Sequence, residues 1–505
     1  MSRPTGGDTL LGVLEAGAPG RVAVRTPEGD AALTAGELLE ESSRLAGVLA
    51  GSGIARGDRV SLVLPNGPEF VQLLFAVTLL GATASPLNPG YTRDEYAFYL
   101  DDLEPRALVV PAGEAKAARE ALPERTVVFD AESSGGGVRL SRDGSRLGDH
   151  RTFEAADADD IALLLHTSGT TSRPKQVPLL HRNLVASARS IAAHYDLSDD
   201  DVSFCVMPLF HVHGLVASVL AQLAAGGAVV VPRRLAGGSF WRSLDGDGVT
   251  WFSGSPTLLT MLLDQRPAQS STQALRFIRS CSAALSQDLF DRIESELDAP
   301  LLQAYGMTEA SHQISSNPLP PGARPPESVG VATGTVITTL DDDASPLPTG
   351  SPGEVAIRGP GLTPGYLSNP EANAEAFVDG WFRTGDRGVV DERGYLRLEG
   401  RIKELINRGG EKISPYEIED VLRRHPAVVD AACFALPDRK YGEVVGAAVV
   451  VSAPTDAKEI VRYCRERIAS FKVPRVLRIV DSLPKTATGK VQRQKLATEV
   501  GRELA

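Results

Sequence analysis

Between Leu33 and Phe129 short apolar runs alternate with stretches of helical spacing, and no other feature narrows the fold as far. Leu33 to Gly51 carries helical spacing behind a Thr34 cap, and Phe70 to Leu80 is helix-like again. Arg59 to Leu64, Ala82 to Leu87, Ala107 to Val110 and Thr126 to Phe129 read as strands. Strands fed in turn by helices line up in parallel, with helices over both faces of the sheet, so the predicted class is α/β. At 505 residues the chain is too long for one hydrophobic core, and two or more domains are expected.

The texture changes twice further on. From about Ser328 to Gly400 closely spaced strands, Gly353 to Gly359 and Gly394 to Leu398, are broken by glycine and proline and read as a small β-barrel or meander. After Gly400 come a helix (Tyr416 to Arg424), two strands (Val428 to Ala435, Gly446 to Val451) and a helix (Ala457 to Ala469), a domain-sized α+β tail. The expected division is a large N-terminal domain of parallel or mixed sheets over 1–400, with 328–400 as its β-barrel, and a mobile α+β domain over 401–505. Ser133 to Gly137 (SSGGG) reads as a surface loop.

The net charge of -12 argues against a nucleic-acid partner, which leaves a basic footprint. No apolar run approaches the roughly 20 residues that span a bilayer. The N-terminus lacks a secretory signal pattern. The cysteines Cys205, Cys281, Cys433 and Cys464 have no paired spacing, which fits reduced thiols in the cytoplasm. Neither a membrane nor a nucleic acid is expected as partner, and the oligomeric state is left open.

Chemistry concentrates first in Leu163 to Leu180, LLLHTSGTTSRPKQVPLL. An apolar strand runs into a turn of Thr167, Ser168, Gly169, Thr170 and Thr171, followed by Lys175. Small residues let backbone N–H groups converge on an anion, and a lysine adds charge. The spacing is neither that of a P-loop nor that of a dinucleotide fingerprint, so phosphate cradle and plain surface loop both remain open here. His211 and His213 (PLFHVHGL) are too few for a metal site, and the acidic runs 157–160 and 341–343 lack calcium-loop spacing.

This loop resembles the signature of the adenylate-forming superfamily of acyl-CoA synthetases, luciferase and peptide-synthetase adenylation domains. Four further stretches follow in that family's order: Tyr305-Gly-Met-Thr-Glu309, Trp381-Phe-Arg-Thr-Gly-Asp386, Gly400-Arg401-Ile-Lys403-Glu and Pro484-Lys-Thr-Ala-Thr-Gly-Lys490. The resemblance covers nearly the whole chain. It implies an enzyme that makes an acyl-adenylate from a carboxylic acid and ATP with Mg²⁺, then transfers the acyl group to coenzyme A. It implies that Thr167 to Lys175 hold phosphates and that Tyr305 lies against adenine. Thr308 and Glu309 belong to the catalytic set, with Glu309 as the Mg²⁺ ligand. Asp386 would accept both ribose hydroxyls, and Arg401 would lie near ribose and phosphate. Lys490 would reach the carboxylate oxygen and α-phosphate, where developing negative charge gives a cation its value. Lys403 is implied as a hinge that exchanges Lys490 for the INRGGEK stretch, in which Arg408, Gly409 and Gly410 border the pantetheine arm. His211 matches a wall of the acyl pocket and is placed with the catalytic group.

Within the superfamily the texture of RFIRSCSAAL, SSNPLP and GRIKELINRGGEKISP is similar to the oxalate–CoA ligase branch. The segments matched to the acyl pocket include Gly254 and Ser255, Ser282, Ala283 and Ala284, and Gly306 and Met307. Gly254 and Ser255 stand where that branch carries larger apolar residues, and small side chains enlarge a cavity. No arginine within these segments awaits a second carboxylate. The expectation is a larger, mostly apolar acid, such as a natural-product or lipid-like acid, with oxalate or another small dicarboxylate as the alternative. Gln176 replaces the glycine that the family has after Pro-Lys. Its bulk beside a triphosphate suggests a second alternative, an enzyme confined to thioesterification that receives acyl-adenylate from a separate adenylating enzyme. A carrier-protein thiol in place of coenzyme A and a non-catalytic acyl-adenylate binder complete the set.

Overall fold

The computed structural model describes residues 7–134, 137–149, 152–167, 174–268, 270, 272, 274–486 and 490–504. Thr34 starts the helix Ala35–Gly51 by a reciprocal cap: its hydroxyl accepts from the Glu37 N–H, and the Glu37 carboxylate accepts from the Thr34 N–H. The helix Pro68–Leu79 opens on proline, whose missing N–H is harmless in a first turn. Every residue of it except Glu69 is buried, the state required of a helix that is apolar all round.

Around these helices lies an eight-stranded sheet. Arg59–Leu62 is flanked in parallel by Thr83–Pro86 and Ala107–Pro111. Ile161–His166 adds in parallel beside Thr83–Pro86, and Gln176–Leu180 folds back antiparallel against it. Val127–Ser134 turns into a hairpin with Gly137–Arg142. Ser133, Ser134 and Gly137 of the SSGGG stretch are therefore strand residues and not loop, and Gly135 and Gly136 lie outside the described residues. Ser133 and Ser134 pair with Val138 and Gly137, and the cross-strand bonds satisfy their backbone.

A nine-stranded sheet carries the parallel run Val202–Phe204, Trp251–Gly254, Phe277–Ser280 and Leu301–Met307, and His312–Ser316 lies antiparallel to the last. In open parallel sheets ligands bind beyond the carboxyl ends of the strands. Here those ends present Ser280 to Ala284 and Tyr305 to Met307.

Val336–Leu340, Gly353–Arg358, Phe377–Val378, Trp381–Val390 and Leu396–Arg401 form a five-stranded antiparallel sheet. No pairing among the described residues joins Val336–Leu340 to Leu396–Arg401, so the segment is an open meander and not a closed barrel. Val331–Ala332, expected within that unit, instead pairs with His312–Ser316 at the edge of the nine-stranded sheet.

The smaller C-terminal domain is a five-stranded sheet covered by the helices Pro415–Arg423, Ala457–Arg465 and Arg493–Leu504. Its two apolar clusters, one around Ile406, Ile418 and Val449 and one around Phe434, Leu483 and Leu496, contain no residue before Ile406. Among the described residues no helix is long and apolar enough to cross a membrane.

Candidate active site

A cleft of about 720 Å³ opens between the two domains. Leu301–Met307 brings Tyr305 and Gly306 to its wall, and the adjoining strands Trp381–Val390 and Leu396–Arg401 bring Asp386 opposite Arg401. Arg401 Nε stands 2.8 Å from Asp386 Oδ1, and the Tyr305 hydroxyl donates to Oδ2. Burial raises the Asp386 carboxyl above its ordinary range, against the pull of Arg401. Burial, with Asp386 adding to it, raises the Tyr305 hydroxyl well above 10.

Lys490 reaches the same cleft from the small domain. Its backbone N–H donates to the Thr486 hydroxyl at 3.2 Å, and its carbonyl accepts from the Thr486 N–H at 2.8 Å. Burial lowers the Lys490 ammonium, and Arg401 lowers it further. Lys490, Arg401 and Asp386 thus line one cavity, and Ser282, Ala283 and Ala284 line it too.

Glu309 sits apart from these wall residues, buried in the single turn Thr308–Ala310. Tyr366, which the sequence did not single out, donates its hydroxyl to Glu309 Oε1 at 2.8 Å. The Lys175 ammonium lies 4.4 Å from the centre of the Tyr366 ring, a cation–π contact. Lys175 and Thr167 clasp each other across the phosphate-loop stretch, with Thr167 N–H to Lys175 O at 2.9 Å. One described end of that stretch is thereby held beside the acidic side chain. Ser168, Gly169, Thr170 and Thr171 lie outside the described residues. Mg²⁺ keeps waters and substrate phosphates and needs only one or two protein carboxylates. Glu309 fits that demand as a single buried carboxylate with one oxygen, Oε1, steadied by the Tyr366 hydroxyl.

Gln176 does not crowd that region as its size suggested. Its amide nitrogen donates to the Asp102 carbonyl at 2.6 Å and to Asp102 Oδ2 at 2.7 Å, in the last turn of the helix Arg93–Leu103. His166 Nε2 meets the same carboxylate at 2.8 Å. The residue is a tether between strand and helix.

The glycines of the INRGGEK stretch form the turn between Ile406–Arg408 and Glu411–Ile413. Gly409 and Gly410 have φ of 62° and 98°, and both are exposed. Arg408 lies over the Tyr441 ring at 4.3 Å. This turn is not on the cleft wall, whereas Lys490 is. Lys403 is exposed in the short turn Ile402–Glu404, between the last strand of the meander and the small domain.

The acyl-pocket expectations divide. Ser282, Ala283, Ala284 and Gly306 are on the wall; His211, Gly254, Ser255 and Met307 are not. A Cβ at Gly254 would stand 3.1 Å from the Leu259 side chain and 3.6 Å from Val206. Neighbouring core side chains already fill that space, so the small residue opens no cavity. Ser255 is buried at the start of the helix Pro256–Asp264. The size argument for a larger apolar acid therefore fails at both positions. His211 is held neutral by burial, its pKa lowered to about 4.

Behind Ser282 the wall is polar. Arg279, three residues before Ser282, is fully buried in Phe277–Ser280, and its partners among the described residues are neutral: Tyr195, Gln313, Ser253, His213 and His312. The sequence signal was an arginine inside an apolar strand, Phe-Ile-Arg-Ser, where a charge is rare without a task. His213, passed over in favour of His211, touches Ser282 Oγ at 2.9 Å. Gly306 is required beside it, since a Cβ there would stand 1.9 Å from the His312 carbonyl oxygen.

Residues 15–367 match the AMP-binding enzyme family, and 417–490 match the AMP-binding enzyme C-terminal domain. The chain is 44% identical to a probable CoA ligase, CCL9, of Humulus lupulus, over 93% of this chain and 92% of that one. It is equally 44% identical to an oxalate–CoA ligase of Arabidopsis thaliana, over 97% and 98%. Among solved structures, ATP-bound MatB of Rhodopseudomonas palustris superposes with a TM-score of 0.88 at 30% identity, covering 99% of this chain and all 100% of that one. Its apo form, at the same identity and coverage, gives 0.77.

Proposed function

The chain belongs to the AMP-binding enzyme family, and from that premise we propose how its own residues join a carboxylic acid to coenzyme A. The enzyme is an AMP-forming acyl-CoA ligase. The acid's carboxylate oxygen attacks the α-phosphorus of ATP and pyrophosphate departs. The coenzyme A thiol then attacks the acyl carbon, AMP leaves, and the thiol proton passes to solvent.

In the first step Lys490 lies beside the oxygen that carries the developing charge, where a fixed cation stabilises most. Arg401 shares that charge and holds Asp386, whose two oxygens receive the ribose hydroxyls. Tyr305 borders the base. Glu309, backed by Tyr366, would hold Mg²⁺, which would neutralise phosphate charge; Lys175 and Thr167 would lie toward the phosphates. For the second step the small domain turns about Lys403 and brings the Arg408-Gly409-Gly410 turn to the acyl group. The observation that carries this reading is Lys490 in one cleft with Asp386 and Arg401. The better superposition on ATP-bound than on apo MatB supports the same pose.

Gln176 gives no reason to invoke a separate adenylating enzyme, because its side chain is tethered to Asp102. The acid is short and bears a second acceptor group, as a small dicarboxylate does. The buried Arg279 network behind Ser282 and the oxalate–CoA ligase relative support this choice. Four buried free thiols are consistent with work in the cytoplasm. The test supplies ATP, Mg²⁺ and coenzyme A with oxalate, malonate, succinate, benzoate or a fatty acid, following pyrophosphate and thioester separately. Both products are expected with a short diacid. Thioester from synthetic acyl-adenylate without pyrophosphate from any acid would overturn the two-step reading, and preference for benzoate or the fatty acid would overturn the acid class.

A further inference from the structure

The side chains behind Ser282 form a chain of hydrogen bonds whose direction can be worked out. A guanidinium only donates. Arg279 donates through one terminal nitrogen to His312 Nε2 at 2.8 Å and through the other to Ser253 Oγ at 2.8 Å and His213 Nε2 at 3.2 Å. Ser253, having accepted from Arg279, directs its own hydroxyl proton to His213 Nε2 at 2.7 Å. Both imidazoles therefore accept at Nε2. Burial, reinforced by the nearby Arg279 charge, holds both well below the usual histidine pKa, so each is neutral with its proton on Nδ1. The His213 Nδ1–H then donates to Ser282 Oγ at 2.9 Å. With that lone pair engaged, the hydroxyl proton of Ser282 remains to be given, and Ser282 is on the cleft wall.

Backbone conformation marks the same place. Ser282, Ser311 and His312 have φ of 77°, 50° and 98°, in the left-handed region that side-chain-bearing residues avoid. Such positions persist where the surroundings over-determine them, and they cluster at functional sites.

We propose that Arg279 is a positioning residue that fixes the proton positions of His213 and so makes the Ser282 hydroxyl a donor to the acyl group of the substrate. This rests on the acid-binding reading of the cleft. A site with a committed donor favours an acid with an acceptor at its far end and rejects an apolar one, since a buried donor left unpaired is costly. The groups facing His213 are Arg279 from Phe277–Ser280, His312 from His312–Ser316, His211 on its own loop, and the hydroxyls of Ser253 and Ser282. Tyr195, Gln313 and His194 face Arg279 in turn, and Cys281 faces Tyr195.

The test uses the full chain, with whichever acid the parent turns over fastest. In Arg279→Met, His213 is free to offer Nδ1 as an acceptor, and Ser282 turns its proton to it. The acid KM should rise about tenfold near pH 8, with kcat and the ATP KM within about twofold of the parent. Burial, the larger cause of the lowered His213 pKa, is unchanged in this variant, so the imidazole stays neutral and the raised acid KM should persist as pH falls to about 6, while the parental value stays flat. Arg279→Lys keeps the charge without the fork and should show the same KM increase. Ser282→Ala should raise the acid KM at every pH. Nitrogen-15 spectra of labelled histidine in the parent should place the His213 proton on Nδ1. A proton on Nε2, or a Ser282→Ala acid KM within twofold of the parent, overturns the proposal, and both measurements stand even if neither Arg279 variant folds. Preference of the parent for an apolar acid sinks the dicarboxylate reading instead, and the spectra still decide the role of Arg279.

Discussion

Gln176 occupies a place where size alone forecasts trouble, and its hydrogen bonds redirect that forecast. Two bonds to Asp102 hold the amide against a helix end. Gln176→Gly should leave pyrophosphate release within about twofold and lower stability by about 2 kcal/mol or more, the worth of two lost hydrogen bonds of which one is to a carboxylate, as read by denaturant unfolding. A tenfold gain in adenylation would restore the crowding argument. Lys490 carries a sharper expectation. Burial and Arg401 lower its ammonium, so it loses its proton at a pH below the ordinary value of about 10.4. Only the charged form stabilises the transferring oxygen. Adenylation should therefore decline on the alkaline side before a free lysine would titrate, and Lys490→Arg, which stays charged, should extend the plateau upward whatever its absolute rate. Lys490→Ala should cut pyrophosphate release on the order of 10²–10³-fold and leave thioester formation from synthetic acyl-adenylate nearly intact. Asp386, Arg401 and Lys490 were legible in the sequence because each sits in a contiguous, ordered stretch. Arg279 and Tyr366 were not, because their partners lie 66 and 57 residues away, and only the fold brings them within reach.

Among the elements, the helices Ala35–Gly51 and Pro68–Leu79 were readable from a cap and from apolar continuity, which act within a few residues. The sheets were readable less far. The hairpin at Ser133–Gly137 and the open meander depend on which strand edge is left for pairing, and local composition does not encode that. The turn between Ile406–Arg408 and Glu411–Ile413 joins the two levels. With φ positive at Gly409 and Gly410, it has the backbone of the two-residue hairpin turns whose twist matches the flanking strands. A β-branched side chain there is strained even where space is open, as it is at Gly410. Gly410→Val should slow thioester formation at least tenfold while pyrophosphate release changes less than twofold. Gly410→Asn, which tolerates that φ, separates strain from obstruction: a backbone effect is largely relieved in Asn, whereas blockage of the thiol path persists. Equal loss in both half-reactions would show that the turn serves only the small domain's stability.

For the whole molecule, the two readings of the reaction reduce to where one small domain stands. Its core contains nothing before Ile406, so it can move as a body. The cleft in the present pose holds Lys490 and leaves the Gly409-Gly410 turn outside. In the two-pose mechanism proposed above, the residues between Arg401 and Ile406 would absorb the exchange. Hinges are a few residues at element ends that take up a large change of φ and ψ. Lys403 sits in such a place, exposed, in a turn of three residues. Proline fixes φ near -65° and is tolerated at the first position of a helical turn after an extended residue, the place of Ile402 after Arg401, so Ile402→Pro should preserve this pose and resist leaving it. Pyrophosphate release in a single turnover should then remain within about threefold of the parent, because that step needs no rotation. Thioester formation should fall by at least tenfold, and acyl-adenylate should accumulate on the enzyme, measurable by quenching and chromatography. Lys403→Ala, which removes the ammonium but leaves φ free, should behave like the parent. If Lys403→Ala and Ile402→Pro lower thioester formation alike, the lysine acts through its charge and the pivot lies elsewhere between Arg401 and Ile406.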